Sequence, residues 1–174
     1  MKEAIQKGFP QTITFPNELA LLCDWTEKNG YPISGSFELR ADDGEAIYWW
    51  FRSHAADDRL AQFGAGPDGS FYCIWKQFDG RQPIVHMGSE GNELKILAGT
   101  MKDFITLLAV GYDELGFENL ENEPLEKEGI NEEFQNWVSE TFSVTIPKTG
   151  LDIFNSANTT HDDFEAWIAT VPNE

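Results

Sequence analysis

Short apolar runs alternate with turn chemistry from Ser36 to Leu97, and no other feature narrows the possible folds as much. Phe37 and Leu39 alternate with Ser36, Glu38 and Arg40, the period-two pattern of a half-buried strand. Asp42-Asp43-Gly44 then offers hairpin chemistry, because Asp-Gly tolerates the positive φ angles of a tight turn. The next run, Ala46-Ile47-Tyr48-Trp49-Trp50-Phe51, is apolar on both alternating faces and reads as a central strand. Ile47, Trp49 and Phe51 would share one face of it, and Tyr48, Trp50 and Arg52 the other. Further strands are predicted over Arg59–Phe63, Ser70–Gln77, Pro83–Met87 and Leu94–Leu97. In the Ser70–Gln77 run, Phe71, Cys73 and Trp75 face one way, and Tyr72, Ile74 and Lys76 the other. The connections are too short for crossovers, so these strands must pair antiparallel, as a meander.

Helical periodicity brackets the sheet. Leu19, Leu22 and Cys23 recur at helical spacing, with Asn17 as the expected cap and Gly30 as the stop. Thr100-Met101-Lys102-Asp103 has the form of a capping box, and Met101, Phe104, Ile105 and Leu108 behind it form an apolar stripe ending at Gly111. Glu114 to Gly129, rich in acids and containing Pro124, reads as a loop or a loosely packed turn. Glu132-Glu133-Phe134-Gln135-Asn136-Trp137-Val138 is echoed by Asp162-Asp163-Phe164-Glu165-Ala166-Trp167-Ile168. Two amphipathic helices with one binary pattern explain the echo, since two copies do not make a solenoid. The expected architecture is a single α+β domain over residues 1–174, a mainly antiparallel meander sheet with helices packed around it. Residues 15–111 carry the sheet-and-helix core, and residues 112–174 form an acidic helical extension.

Thirty acidic against twelve basic side chains leave a formal charge of −18, which repels phosphate backbones and anionic lipid and favours a basic partner. Nucleic acid and membrane surfaces are thereby disfavoured as ligands. The excess is uneven: residues 112–174 hold 15 acids against Lys127 and Lys148 alone. That asymmetry serves either a solvated face or a dedicated electrostatic surface. Cys23 and Cys73 both sit among apolar residues and read as buried, reduced thiols. The opening Met1–Lys7 lacks the apolar stretch of a secretory signal, and no run approaches membrane-spanning length, so a cytoplasmic location is expected.

Motifs for chemistry are weak. Gly64-Ala65-Gly66-Pro67-Asp68-Gly69 matches the dinucleotide fingerprint in letters, but a strand follows it where the fingerprint needs a helix. Gly88-Ser89-Glu90-Gly91-Asn92-Glu93 lacks the Lys-Ser/Thr pair of a phosphate loop and reads as a hairpin turn. His54, His86 and His161 have no zinc-ligand spacing. The acids are too many to single out a glycosidase pair, and no nucleophile arrangement stands out, so no catalytic residue, cofactor or metal is assigned.

The aromatic load is more informative. Six Trp, thirteen Phe and four Tyr exceed what one core needs. If helices cover one sheet face only, Tyr48, Trp50 and Tyr72 remain on the open one, and with Asp68, Glu90 and Glu93 they make a hot spot for a basic protein surface. If both faces are covered, the aromatics are core.

Read as one block, Leu60–Gly64, Gly69-Ser70-Phe71-Tyr72-Cys73-Ile74-Trp75, Pro83-Ile84-Val85-His86-Met87-Gly88-Ser89-Glu90-Gly91, Leu97-Ala98 and Phe104-Ile105-Thr106-Leu107-Leu108-Ala109 resemble the SUKH superfamily. This group includes Smi/Knr-type cell-wall regulators and bacterial immunity proteins. The resemblance covers roughly residues 15 to 111 and the two Phe-x-x-Trp helices. It implies an α+β fold without a catalytic motif, and a role in binding and neutralising a toxin domain, often a nuclease. An intracellular regulator or scaffold without a toxin is the second expectation, and a small hydrolase a distant third.

Overall fold

The structure is a computed structural model and describes residues 1–42, 44–125 and 129–172. Five strands follow one another in space as they do in sequence: β1 (Glu38–Leu39), β2 (Leu60–Ala65), β3 (Phe71–Trp75), β4 (Ile84–Met87) and β5 (Lys95–Ala98). Every neighbouring pair is antiparallel, as the short connections require. The register shifts between Gln62 and Gly64, where a side chain at Gly64 would place its Cβ 2.4 Å from the Phe37 ring. The glycine therefore belongs inside a strand, as a close-approach position. The turn that follows it, from Gly66 to Ser70, leads straight into β3.

The run predicted as a central strand is a helix, α3 (Ala46–Phe51). A six-residue run apolar all round carries no period, so tertiary packing chooses. Ile47 and Phe51, four residues apart, are both buried and form the face that packs toward the sheet. Local bonds favour the helix too. The Asp42 carboxylate accepts from the amides of Gly44 (2.9 Å) and Ala46 (3.1 Å), and the Glu45 carboxylate accepts from the Trp49 indole one turn on (3.0 Å). Arg52, at φ +54°, ends it in the left-handed conformation. Asp42 thus starts a helix and does not close a hairpin; Asp43 lies outside the described residues.

Helices cover both faces of the sheet. Tyr72 and Ile74 of β3 face one core together with α2 (Asn17–Asn29), α4 (Met101–Leu108) and α5 (Glu132–Phe142). Cys73 and Trp75 face a second core with α3, α6 (Leu151–Thr160) and α7 (Phe164–Ile168). The alternation predicted for β3 holds, and the aromatic load is consumed by two cores. Asn17 does not cap α2: Pro16 precedes it and no side chain bonds the first turn. Thr100 does cap α4, accepting from the Asp103 amide at 3.1 Å and donating its hydroxyl to the Asp103 carboxylate at 2.7 Å.

The two Phe-x-x-Trp segments build nearly the same object on opposite faces. Phe134 and Trp137 stack at 5.6 Å and 23°, with Trp25 of α2 lying 5.0 Å from the phenyl and 5.8 Å from the indole. Phe164 and Trp167 stack at 5.8 Å and 22°, with Trp75 of β3 at 5.0 Å and 5.3 Å. Each is a clasp in which a helical i, i+3 aromatic pair grips a third indole. Asn131 and Asp163 cap the two helices from the N-cap position, although Phe134 is the third residue of its helix and Phe164 the first.

The acidic extension is woven into the same cores. Gly35 donates to the Gly129 carbonyl (3.1 Å) and Ser36 to that of Asp113 (2.9 Å), and the Tyr112 hydroxyl accepts from the Gly150 amide (3.0 Å). Besides α3, two further helices were not anticipated. α1 (Lys2–Lys7) buries only Ile5, and α6 is rich in Asn, Ser and Thr, residues whose side chains compete for backbone partners. In α6 those hydroxyls bond back to carbonyls one turn earlier, as Thr160 does to Ser156 at 2.7 Å.

The sheet edges are closed differently. On β5, Asn158 of α6 donates to the Ile96 carbonyl at 2.9 Å. On β1, Arg40 turns its amide to Phe63 (2.9 Å), so the groups of Leu39 point away from β2, and the Tyr31 hydroxyl lies 3.2 Å from the Leu39 nitrogen and 3.4 Å from its oxygen.

Candidate interaction surface

α3 places its aromatic side chains by helical spacing, not by strand alternation, and this rearranges the expected site. Trp49, assigned by alternation to the covered face, is the exposed one, at 53%. Its indole is held by Glu45 and overlain by the Arg52 guanidinium, 4.9 Å from the ring. Tyr48 stays half-buried, stacked on His54 at 4.6 Å, and His54 in turn lies 2.7 Å from the Asp57 carboxylate. Trp50 is half-buried and donates its indole N–H to the Gly88 carbonyl at 3.1 Å.

That bond joins α3 to the tips of two hairpins. Residues 66–70 and 88–92 emerge at the same end of the sheet, where Ser89 donates to the Asp68 carboxylate at 3.3 Å. Partial burial works against the charge on Asp68, but bonds from Ser70 and Ser89 outweigh it and hold the carboxyl below its ordinary range. Glu90 is exposed on the second tip. Tyr48 lies edge-on to Trp49 at 5.3 Å, and Trp50 ties the helix to the hairpin tips that carry Asp68 and Glu90. A separate groove of about 330 Å³ is lined by Trp49, Phe71, Arg40 and Asp42.

Two expected members fall elsewhere. Tyr72 is 2% exposed and lies in the core between Phe37, Phe104 and His86; burial pushes its phenol up. No open sheet face exists there to present it, because α4 covers it. Glu93, at φ +51°, pairs with Lys95 at 2.5 Å and lines a different cleft, beside Phe117. The signal that could have found Trp49 is the four-residue spacing of Ile47 with Phe51 and of Glu45 with Trp49, which a strand does not reward.

Cys23 and Cys73 are free and buried; burial pushes the Cys23 thiol up to about 11 and the Cys73 thiol further. Among the described residues, no group of three His, Cys, Asp or Glu side chains is arranged to hold a metal ion, and no helix is long and apolar enough to cross a membrane. The surface offers aromatic contact area and hydrogen-bonding carboxylates, the components of macromolecular recognition. In comparisons with known proteins, no family model, curated protein or solved structure matches the chain.

Proposed function

We propose that the chain is a non-catalytic, cytoplasmic protein-binding module of the SUKH kind, an immunity protein that binds and neutralises a basic toxin domain. The observation that carries this reading is Trp49, a half-exposed indole on a short helix, flanked by Tyr48 and Trp50, held by the Glu45 carboxylate and linked through Trp50 to the hairpin tips that bear Asp68 and Glu90. Tryptophan is the side chain most enriched among residues that dominate binding energy, and truncating such an anchor typically costs about 2 kcal/mol or more. The net charge of −18 favours a basic counterpart and speeds the encounter. A nuclease domain has the required surface, because it must itself bind a polyanion.

The test is inhibition. A basic toxin domain encoded beside the chain is assayed with and without equimolar protein, wild type and Trp49→Ala. Stoichiometric inhibition by the wild type, weakened at least tenfold in the variant, supports the reading. A toxin unaffected by the wild type sinks it. Association measured at low and physiological salt tests the electrostatic part, which an indifferent rate would remove.

A further inference from the structure

The acids of the second part of the chain border a cleft away from α3. Residues 115–120 run past the core on the Tyr72 side of the sheet, with Leu115 and Leu120 buried, and reach the start of α6. The Tyr112 hydroxyl fixes this segment by donating to the Asn122 carbonyl (2.7 Å) while accepting from Gly150 (3.0 Å). Between the segment and α6 lies a cleft of about 350 Å³. Its walls are apolar at Phe117, Leu120, Leu151 and Phe154, and Phe117 remains 39% exposed although it packs edge-on against buried His86 at 5.2 Å.

The polar lining is unbalanced. Lys95 is the one cation among the described lining residues, and it is spent internally: its ammonium pairs with Glu93 at 2.5 Å and donates to the Gly116 carbonyl at 3.0 Å. Glu118 and Glu121 also line the cleft, and neither has an ion-pair partner among the described residues. An apolar slot with an exposed phenyl ring and two carboxylates that have no ion-pair partner among the described residues fits a long apolar stem that ends in a positive charge.

We propose that this cleft receives an arginine side chain from the surface of a protein partner, with its guanidinium against Phe117 and between Glu118 and Glu121. Arginine suits the site better than lysine because the guanidinium is planar, weakly hydrated, stacks on aromatic rings and bonds two carboxylates at once. The inference rests on the reading of the chain as a binder of basic protein. It adds a second contact, on the other side of the sheet from Trp49.

The experiment isolates the cleft from any toxin. The isotopically labelled full chain is titrated with the capped peptide Gly-Arg-Gly at physiological salt and followed by NMR, with the Gly-Lys-Gly and Gly-citrulline-Gly peptides as comparators. The expected result is saturable shifts confined to Phe117–Glu121 and Leu151–Asn155, strongest for arginine and absent for citrulline. A Glu118→Gln/Glu121→Gln variant should bind on the order of tenfold more weakly, while Glu133→Gln/Glu140→Gln, at exposed acids of α5 outside the cleft, binds as wild type. Shifts spread evenly over the acidic surface, equal responses to lysine and arginine, or indifference to the double substitution would overturn the proposal. Such a failure with toxin inhibition intact removes the cleft alone; arginine binding without inhibition removes the toxin reading and keeps the cleft.

Discussion

His86 is wholly buried, with one ring nitrogen bonded and the other bare. Nδ1 lies 2.8 Å from the Glu93 carbonyl, which can only accept, so Nδ1 carries the proton and Nε2 is a lone pair with no partner. Burial lowers the imidazole from its ordinary 6.5, against the Glu93 bond that raises it and with help from Lys95. A depressed histidine is fully stabilising above the unfolded value. That contribution is lost as pH falls through 6.5 toward the folded value, because the unfolded chain takes up the proton first. Urea midpoints measured from neutral to mildly acidic pH should therefore fall more steeply for wild type than for His86→Gln; parallel curves would refute this account. The carbonyl that orients His86 comes from the turn after β4, and Gly116, whose added Cβ would lie 2.2 Å from Nε2, comes from the distant loop. Neither neighbour could be read from the position of His86 within the strand predicted over Pro83–Met87.

At the scale of elements, the sheet was legible because strand alternation, turn residues and short connections agree, and β2 to β5 lie within two residues of their expected limits. α3 was not, because an apolar run of six residues packs equally well as strand or helix until its neighbours are known. That ambiguity misplaced the site: a strand would have exposed Tyr48 and Trp50, whereas the helix exposes Trp49. Trp49→Ala should accordingly leave the thermal midpoint nearly unchanged, as for an exposed position, despite the size of the side chain lost. The clasps are a second element-scale property. Phe134→Leu and Phe164→Leu should each cost roughly 1–2 kcal/mol in chemical denaturation and add within about 0.5 kcal/mol when combined, since the clasps share no residue. A large coupling energy would mean that the two faces communicate through the sheet.

Across the whole molecule, the acidic extension and the sheet share a core: Phe134 and Val138 are fully buried in the same cluster as Leu19, Leu22 and Trp25. A chain cut after Gly111 is expected to lose its near-ultraviolet circular dichroism, since it leaves that cluster open. Gly35 is a tight seam between them. Its φ is +49°, and a Cβ there would stand 2.3 Å from the Tyr112 carbonyl oxygen and 2.4 Å from that of Asp113, so Gly35→Ala should destabilise by roughly 2 kcal/mol. Charge asymmetry announced that the extension differs from the sheet; only the tertiary contacts disclose that it is load shared with it. The Tyr31 hydroxyl at Leu39 has a consequence of another kind. A five-stranded sheet with a bare outer strand invites a second copy to add its own. With α6 fastened along one border and a single phenol occupying the other, the sheet terminates at both ends, and Tyr31→Phe should turn a monodisperse solution into one that slowly forms β-rich aggregates, read by light scattering and thioflavin binding.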